Sequence, residues 1–251
     1  MITIENQTIA DIPSLHIFKQ ADKLHPQPTV LFWHGLGSSK EQNLSFAYYL
    51  AEKGIRVVLP DALYHGERAG DIDAGRRTYA FWDIVMQAVN ETQSLVNEMT
   101  TYKWIDSGRI YVSGTSMGGI ISCGALKSFE WIQGGIIMMG SPSWKAMAEE
   151  QIRSLKKNTD WELSEHEEQD LLEKLATYDL SLEPAKVESK PIFFWHGKED
   201  DVVPYELSYR FFERLPYRES SRQAYYLQQE AGHKVTREGM IAASKWASSH
   251  I

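Results

Sequence analysis

Short apolar runs bounded by turn residues recur along most of this chain and are its strongest constraint on fold. Helix-length segments separate most of them, and such an alternation predicts a mostly parallel sheet with helices on both faces. The clearest helix runs from Trp82 to Met99, where apolar residues recur at spacings of three and four. The predicted strands are Thr29–Trp33, Ile55–Leu59, Arg109–Ser113, Gly135–Met139, Pro191–Trp195 and Gln223–Leu227.

The first 20 residues follow a different pattern. Ile2 and Ile4, and later Leu15 and Ile17, alternate with other residues around Asp11-Ile12-Pro13. An alternation of period two is typical of a strand with one exposed face. We therefore expect an antiparallel hairpin at the edge of the sheet.

Length and composition narrow the class of protein. The chain has 251 residues, enough for one large core, and we expect a single domain over residues 1–251. Its net charge of −8 argues against a nucleic-acid partner, because binding nucleic acid requires a basic surface. No apolar run approaches the roughly 18 residues of a membrane span and no signal peptide is evident, so we expect a cytoplasmic protein. Cys123 is the only cysteine, which excludes an intramolecular disulfide, and we expect it to be a core residue.

A candidate nucleophile follows one of the predicted strands. Ser116 lies in Gly114-Thr115-Ser116-Met117-Gly118, directly before a segment rich in small and apolar residues. A serine in a sharp turn between strand and helix is lifted clear of the sheet edge, and the glycines allow the strand and helix backbones to pass close to each other. The pentapeptide therefore predicts a hydrolase.

Serine needs an imidazole to take its proton and a carboxylate to orient that imidazole. His233 lies in a predicted loop after the run Gln223–Leu227, and Asp200 lies just beyond the run that ends at Trp195. Both therefore belong to loops that follow strands. Glu199 and Asp201 are alternative acids.

Five segments together resemble one family: Phe32–Gly37, Pro60–Arg68, Ile105–Gly119, His196–Pro204 and Gly232-His233. The chain is similar to serine esterases of the α/β-hydrolase superfamily, in the prolyl-oligopeptidase-like and dienelactone-hydrolase-like branch. The resemblance implies the α/β-hydrolase fold and no cofactor.

Carried onto this sequence, the resemblance implies Ser116 as nucleophile, Asp200 as orienting acid and His233 as general base. Asp200 is preferred because it matches the acid of the family pattern His-Gly-x-x-Asp-x-x-Val-Pro. The same resemblance assigns the two oxyanion donors to the backbone N–H groups of Leu36 and Met117. Gly37 is the alternative to Leu36.

The other histidines receive other interpretations. His34 and His196 are expected to be structural hydrogen-bonding residues, and His65 either lines the substrate pocket or braces a loop. His16, His25, His166 and His250 are expected to be exposed and without a role. No histidine spacing of the His-Glu-x-x-His kind indicates a metal site. Some of the aromatic residues Trp33, Tyr64, Phe81, Trp144 and Trp161 could line an apolar pocket, although we expect most of them to pack in the core or cap.

About fifty residues lie between the predicted strand ending at Met139 and the one beginning at Pro191, too many for one crossover helix. Ser164 and Glu167 form a capping-box pattern before Leu171, Leu172 and Leu175. We therefore expect a small helical cap inserted at about residues 143–188. It either covers the site or only packs beside the sheet, and its position after a strand end favours the first.

The leading functional hypothesis is a carboxylesterase that cleaves esters of small molecules through an acyl-enzyme on Ser116. An O-deacetylase, a thioesterase or a peptidase would use the same three residues. A peptidase is least favoured, because peptidases of this branch carry a large extra domain for which we expect no room. A cofactor-free lyase or perhydrolase, and a binding protein without activity on the same fold, are further alternatives. The sequence does not fix the natural substrate or the oligomeric state.

Overall fold

The computed structural model describes residues 1–158, 164–216 and 222–251. These residues form one sheet of eight strands in the order β1-β2-β4-β3-β5-β6-β7-β8. β1 and β2 are an antiparallel pair, β2 is antiparallel to β4, and every other neighbouring pair is parallel. The strands are β1 Ile2–Ile9, β2 Ile12–Lys19, β3 Gln27–Trp33, β4 Arg56–Pro60, β5 Ile105–Thr115, β6 Gly134–Met138, β7 Ile192–Gly197 and β8 Gln223–Gln228.

All six predicted strands and the edge hairpin are present, with shifted ends. β5 begins four residues before the predicted Arg109, because Ile105 pairs with Gln27 ahead of an irregularity in the ladder. β6 ends at Met138, since Met139 has a positive φ of 53° that no strand adopts. The mostly parallel sheet predicted from the apolar runs is confirmed.

Helices cover both faces of the sheet. They are α1 Leu44–Glu52, α2 Ala74–Tyr79, α3 Phe81–Thr101, α4 Met117–Ser128, α5 Trp144–Asn158, α6 Glu165–Ala176, α7 Tyr205–Glu213 and α8 Arg237–His250. α3 matches the predicted helix with one or two additional residues at each end.

Two hydrophobic cores lie on opposite sides of the sheet, because successive strand residues point to opposite faces. In β3, Leu31 and Trp33 pack in the core that contains α3 and α4. Val30 and Phe32 pack in the other core, with α1 and α8. Because these strands are parallel, their carboxyl ends lie along the same edge of the sheet, and helices pack on both faces beside that edge.

The described parts of the segment between β6 and β7 contain α5 and α6, as the expected helices, and the capping box at Ser164 is present. It packs on the core of α3 and α4: Trp144 is fully buried and its indole N–H donates to the carbonyl of Ile120 at 3.1 Å. Leu175 and Leu180 are also fully buried in that core. The hypothesis that this segment covers the site stays a prediction, and Trp161 lies outside the described residues.

Two histidines expected to be exposed are not. His16 is buried, with 2% of its surface exposed, because its ring packs against Phe18 and Trp104, with centroids 4.6 Å apart in each pair, and contacts Arg56. Its Nε2 accepts a hydrogen bond from Arg56 at 2.6 Å, and its Nδ1 lies 3.3 Å from the side-chain oxygen of Gln7. Burial, and then the charge of Arg56, lower the pKa of His16 to about 3. His250 is half-buried and stacks on Trp246.

Several smaller expectations concern burial. Cys123 is buried as expected, and burial raises the pKa of its thiol. Trp33 and Trp144 are fully buried core residues, whereas Tyr64 and Phe81 are half-buried against the same core. Within the described part of the chain, none of the helices is both long enough and apolar enough to cross a membrane.

Candidate active site

Ser116 lies between the end of β5 and the start of α4, at the centre of the sheet. Its backbone has φ 54° and ψ −119°, a conformation that is strained for a residue with a side chain. Gly118 makes the turn possible, because a Cβ there would lie 1.8 Å from the carbonyl oxygen of Trp33. The Ser116 N–H donates to the carbonyl of Met138 at 2.8 Å, which fixes the turn against β6.

His233 lies in the loop between β8 and α8 and reaches back to Ser116. Its Nε2 is 2.8 Å from Ser116 Oγ, and its Nδ1 is 2.8 Å and 2.9 Å from the two carboxylate oxygens of Asp200. A carboxylate can only accept, so Nδ1 carries the proton and Nε2 is free to take one from the serine. The structure thus joins three side chains that are 117 and 33 residues apart in sequence.

Asp200 follows β7 and its side chain is fully buried. Besides His233, its carboxylate accepts the N–H groups of Val202 at 3.0 Å and Val203 at 2.9 Å, and its second oxygen is 3.3 Å from His196 Nε2. Burial acts to raise the pKa of this carboxyl, but the hydrogen bonds from His196, His233 and Val203 lower it well below its usual value. Asp200 is therefore a carboxylate at neutral pH.

The two alternative acids do not occupy this position. Glu199 and Asp201 are both exposed, while Asp200 between them makes the hydrogen bonds to His233. The Asp200 N–H donates to the Gly197 carbonyl and closes a turn, in which the Asp200 side chain is buried while its two neighbours are exposed.

Two backbone amides near Ser116 have no acceptor among the described residues. They are the N–H groups of Leu36, in the loop after β3, and of Met117, the first residue of α4. The amide of Gly37, the alternative donor, is already used: it donates to His65 Nε2 at 2.9 Å. The geometry therefore favours Leu36 over Gly37 as a donor to a bound anion.

His65 and His34 lie against each other behind this loop, with ring centroids 5.0 Å apart. The two rings are buried, and every ring nitrogen has a backbone partner. His34 contacts the carbonyl of Gly35 and the amide of Ala62, which fits the structural role expected for it. His65 contacts loop backbone through both ring nitrogens, as one of the two interpretations expected, and its place in the substrate pocket stays a prediction.

A buried ion pair near the site was not found by sequence reasoning. Lys40 is 1% exposed, and its Nζ is 2.8 Å from Asp61 and 2.7 Å from Glu67. Burial acts to lower the pKa of Lys40, but the hydrogen bonds that its ammonium group donates to these carboxylates raise it. Asp61 and Glu67 belong to the segment Pro60–Arg68 that resembled the family, whereas no pattern in the sequence marked Lys40.

Among the residues that the structure describes, no group of three or more His, Cys, Asp or Glu side chains could hold a metal ion. Ser116, His233 and Asp200 form one chain of hydrogen bonds that ends beside the free amides of Leu36 and Met117.

Comparison with known proteins gives consistent matches. The model of the prolyl oligopeptidase family matches residues 45–248. The candidate esterase YitV of Bacillus subtilis (strain 168) is 40% identical over 255 residues, and the esterase YjfP of Escherichia coli (strain K12) is 32% identical over 254 residues, each with 100% of both chains covered. The structure of TT1662 from Thermus thermophilus superposes with a TM-score of 0.77 at 20% identity, covering 99% of this chain and 98% of that one. The α/β-hydrolase fold expected from the sequence is confirmed.

Proposed function

This chain belongs to the prolyl oligopeptidase family of α/β-hydrolases, and on that premise we propose that it is a serine carboxylesterase acting on small-molecule esters. An enzyme of the hydrolase class, of the esterase type, follows from the family and from the two relatives described as esterases. The proposal adds the nucleophile, the roles of the surrounding groups and the class of substrate.

The observation that carries the proposal is the chain of hydrogen bonds from Ser116 through His233 to Asp200. Ser116 Oγ and His233 Nε2 are 2.8 Å apart, within reach for direct proton transfer. Asp200 is 2.8 Å from His233 Nδ1, so it holds the ring in the tautomer that can accept a proton at Nε2. The same carboxylate would stabilise the imidazolium that forms.

In the first half of the reaction, Ser116 Oγ attacks the ester carbonyl carbon while its proton moves to His233 Nε2. The carbonyl oxygen becomes an oxyanion, and the free N–H groups of Leu36 and Met117 are the donors that would stabilise it. The tetrahedral intermediate collapses as the alcohol leaves with the proton from His233. The acyl group remains on Ser116.

In the second half, a water molecule gives a proton to His233 Nε2 and attacks the acyl carbon. The oxyanion forms again between the same two amides, and the bond to Ser116 Oγ breaks as the serine recovers its proton. The carboxylic acid is released. His233 thus acts as base and then as acid in each half, and Asp200 keeps its charge throughout.

The segment of about residues 143–188 supports a related proposal, that a cap inserted in a single domain covers the acyl-binding side of the site. It begins at the end of β6, and Met138 of β6 accepts the Ser116 N–H at 2.8 Å. Trp144, Leu175 and Leu180 anchor it in the core. Substitutions on α5 and α6 that leave those anchors intact should therefore alter the acyl-chain preference rather than the fold.

The test is hydrolysis of p-nitrophenyl esters from acetate to decanoate by the wild type, by Ser116→Ala and by the control Ser128→Ala. Ser128 is a serine on α4 whose hydroxyl only donates to the carbonyl of Gly124. We expect the wild type and Ser128→Ala to hydrolyse short esters, and Ser116→Ala to lose at least about a thousandfold in kcat.

Each other result has a definite meaning. Activity retained in Ser116→Ala would refute the assigned nucleophile. Activity on thioesters, acetylated sugars or peptides but on no simple ester would refute the proposed substrate class while keeping the mechanism. A folded wild type that is inactive on every acyl substrate, and unreactive with a fluorophosphonate, would favour a binding protein.

A further inference from the structure

We propose that His65 is a positioning residue of the oxyanion hole, which holds the loop after β3 so that the Leu36 N–H faces the carbonyl oxygen of the substrate. The inference rests on the proposed function, because it assigns a task within that reaction. It gives His65 no part in proton transfer, and it is carried by the contacts of this side chain.

Both nitrogens of the buried His65 ring are engaged with backbone groups. Nδ1 lies 2.8 Å from the carbonyl oxygen of Leu63, and Nε2 lies 2.9 Å from the amide nitrogen of Gly37. A carbonyl can only accept and an amide N–H can only donate, so the proton is on Nδ1 and the Nε2 lone pair accepts from Gly37. His65 therefore bonds to the residue directly after the proposed oxyanion donor.

The loop that His65 holds has little packing of its own. Leu36 has 37% of its surface exposed, and Gly37 has a positive φ of 74° with no atom within 4 Å of the place where its Cβ would be. One turn hydrogen bond, from the Ser38 N–H to the Gly35 carbonyl, closes it locally. His34 also contacts the Gly35 carbonyl, and among the described residues the bond to His65 is the one hydrogen bond between Leu36-Gly37 and the loop after β4.

The segment that carries His65 is itself held rigidly. Asp61 accepts the N–H of Glu67 at 3.0 Å and the N–H of Lys40 at 3.0 Å, and it also binds the Lys40 ammonium group. Tyr64, next to His65, has a φ of 62°, a strained value that persists only where the surroundings impose it. The carboxylate of Asp61 thus ties the loop after β4 to the loop after β3 at Lys40, and His65 joins the same two loops at Gly37.

The ring must be neutral to accept the Gly37 N–H. Burial, and to a smaller extent the charge of Arg77, lower the pKa of His65, although the hydrogen bond to the Leu63 carbonyl opposes this. The adjacent His34, whose pKa burial lowers to about 4, adds no positive charge at neutral pH. The Gly37 hydrogen bond is therefore available under the conditions in which an esterase works.

The kinetic test compares His65→Leu, which removes the acceptor, with His65→Gln, whose amide oxygen can reach the position of Nε2. We expect kcat for p-nitrophenyl acetate to fall about 10- to 100-fold in His65→Leu, because displacing an oxyanion donor weakens the stabilisation of the transition state but not the binding of the substrate. KM should stay within about twofold, and His65→Gln should keep most of the activity. Affinity for a methyl trifluoromethyl ketone, which forms an oxyanion on the serine, should fall by the same factor as kcat/KM.

A matched control separates positioning from loss of stability. His16→Leu removes another buried, neutral imidazole that accepts one hydrogen bond, and His16 belongs to β2, away from the loops of the site. Urea unfolding should show a decrease in stability for both leucine variants, with kcat reduced only in His65→Leu. Equal kcat in His65→Leu and the wild type, or an equal decrease in both leucine variants, would overturn the inference.

A measurement that does not depend on turnover completes the test. Long-range ¹H–¹⁵N spectra of the imidazoles, with His65 assigned by its absence in His65→Gln, should show the proton on Nδ1 at neutral pH. A proton on Nε2 would overturn the inference whatever the kinetics show. Failure of the proposed function has a different signature, an inactive wild type or an active Ser116→Ala, so the two failures are distinguishable.

Discussion

The tripeptide Trp-His-Gly occurs twice in this chain, at Trp33–Gly35, which begins with the last residue of β3, and at Trp195–Gly197 at the end of β7. In both copies the tryptophan is fully buried and the histidine is 1% exposed. Both copies lie at the carboxyl edge of the sheet, on either side of the strand that leads to Ser116. Local sequence and location are therefore the same, yet the two histidines do different things.

The difference is in the tautomers. His34 Nδ1 lies 2.8 Å from the Gly35 carbonyl and its Nε2 accepts the Ala62 N–H at 3.1 Å, so the proton is on Nδ1. His196 Nε2 lies 2.8 Å from the Val203 carbonyl and its Nδ1 faces the Ser208 hydroxyl at 3.2 Å, so the proton is on Nε2. His196 Nε2 also lies 3.3 Å from Oδ2 of the Asp200 carboxylate. The loop that follows each strand decides which nitrogen meets a carbonyl.

The two copies therefore support opposite halves of the proposed chemistry. His34 gives a lone pair to backbone and helps to hold the loops around the free Leu36 amide. His196 gives a proton to the side of the carboxylate that orients the base. In the proposed reaction, one copy of the tripeptide thus lies beside the Leu36 oxyanion donor, and the other lies beside Asp200, which orients the base His233.

The glycines of the two copies give the largest expected contrast. At Gly197 a Cβ would lie 2.2 Å from the carbonyl oxygen of Ala231 and 2.6 Å from that of Gly232, the residue before His233. At Gly35 the nearest atom is Ser116 Cβ at 3.5 Å, an ordinary contact. We expect Gly197→Ala to displace the His233 loop and to lower kcat/KM at least about 100-fold, since misplacement by 1 Å has such an effect.

Gly35→Ala is the matched comparison and should stay within about fivefold of the wild-type kcat/KM, with a melting temperature close to that of the wild type. Gly197→Ala should also lose about 1–3 kcal/mol of stability from the forced backbone shift. Equal kinetics for the two alanine variants would mean that the approach of β7 to the His233 loop does not determine the position of the base.

The charge state of His34 gives the next contrast, in acid stability. Burial lowers the pKa of His34 to about 4 from 6.5, so between these values the unfolded chain binds a proton there that the folded protein does not. The free energy of unfolding therefore decreases as the pH falls from about 6.5 to about 4, because protonation of His34 favours the unfolded chain. At pH 5 the loss is about 2 kcal/mol, from roughly 1.5 pH units within that window.

Urea unfolding at pH 7 and pH 5 measures this effect. The decrease between the two pH values should be about 2 kcal/mol smaller in His34→Gln than in the wild type. In His16→Gln, too, the loss of stability between pH 7 and pH 5 should be smaller than in the wild type, because the pKa of His16 is also lowered, to about 3. An identical decrease in the wild type and His34→Gln would mean that His34 is already protonated in the folded protein at pH 5.

Sequence reasoning predicted what local patterns determine. The apolar runs gave the strands because β-residues alternate between two buried faces, and the motif around Ser116 gave the turn because only small residues fit it. The capping box at Ser164 was also correct, since a cap depends on residues three positions apart.

Contacts between distant segments were not predictable in this way. We expected His16 to be exposed because Trp104 and Arg56, which pack against its ring, are distant in sequence, Arg56 by 40 residues, and only the fold brings them to it. Lys40 gave no signal, because a lysine is ordinarily exposed and its burial depends on Asp61 and Glu67 in another loop. The opposite tautomers of His34 and His196 follow from loop geometry that identical tripeptides cannot encode.

The smallest expected effect tests whether His196 acts through Asp200. A hydrogen bond to a charged group contributes about 1.5–3 kcal/mol. The contact of His196 with Asp200 is long, at 3.3 Å, so we expect the lower limit, a decrease of about tenfold in kcat/KM for His196→Leu in the wild-type background. In an Asp200→Asn background, where the carboxylate charge is already gone, the same change should have less than about a twofold effect. His34→Leu acts on backbone of the other loop, so its effect should be the same factor in both backgrounds. If His196→Leu lowered kcat/KM by the same factor in both backgrounds, His196 would act only on the fold of its loop and not through Asp200. The two Trp-His-Gly copies would then be equivalent.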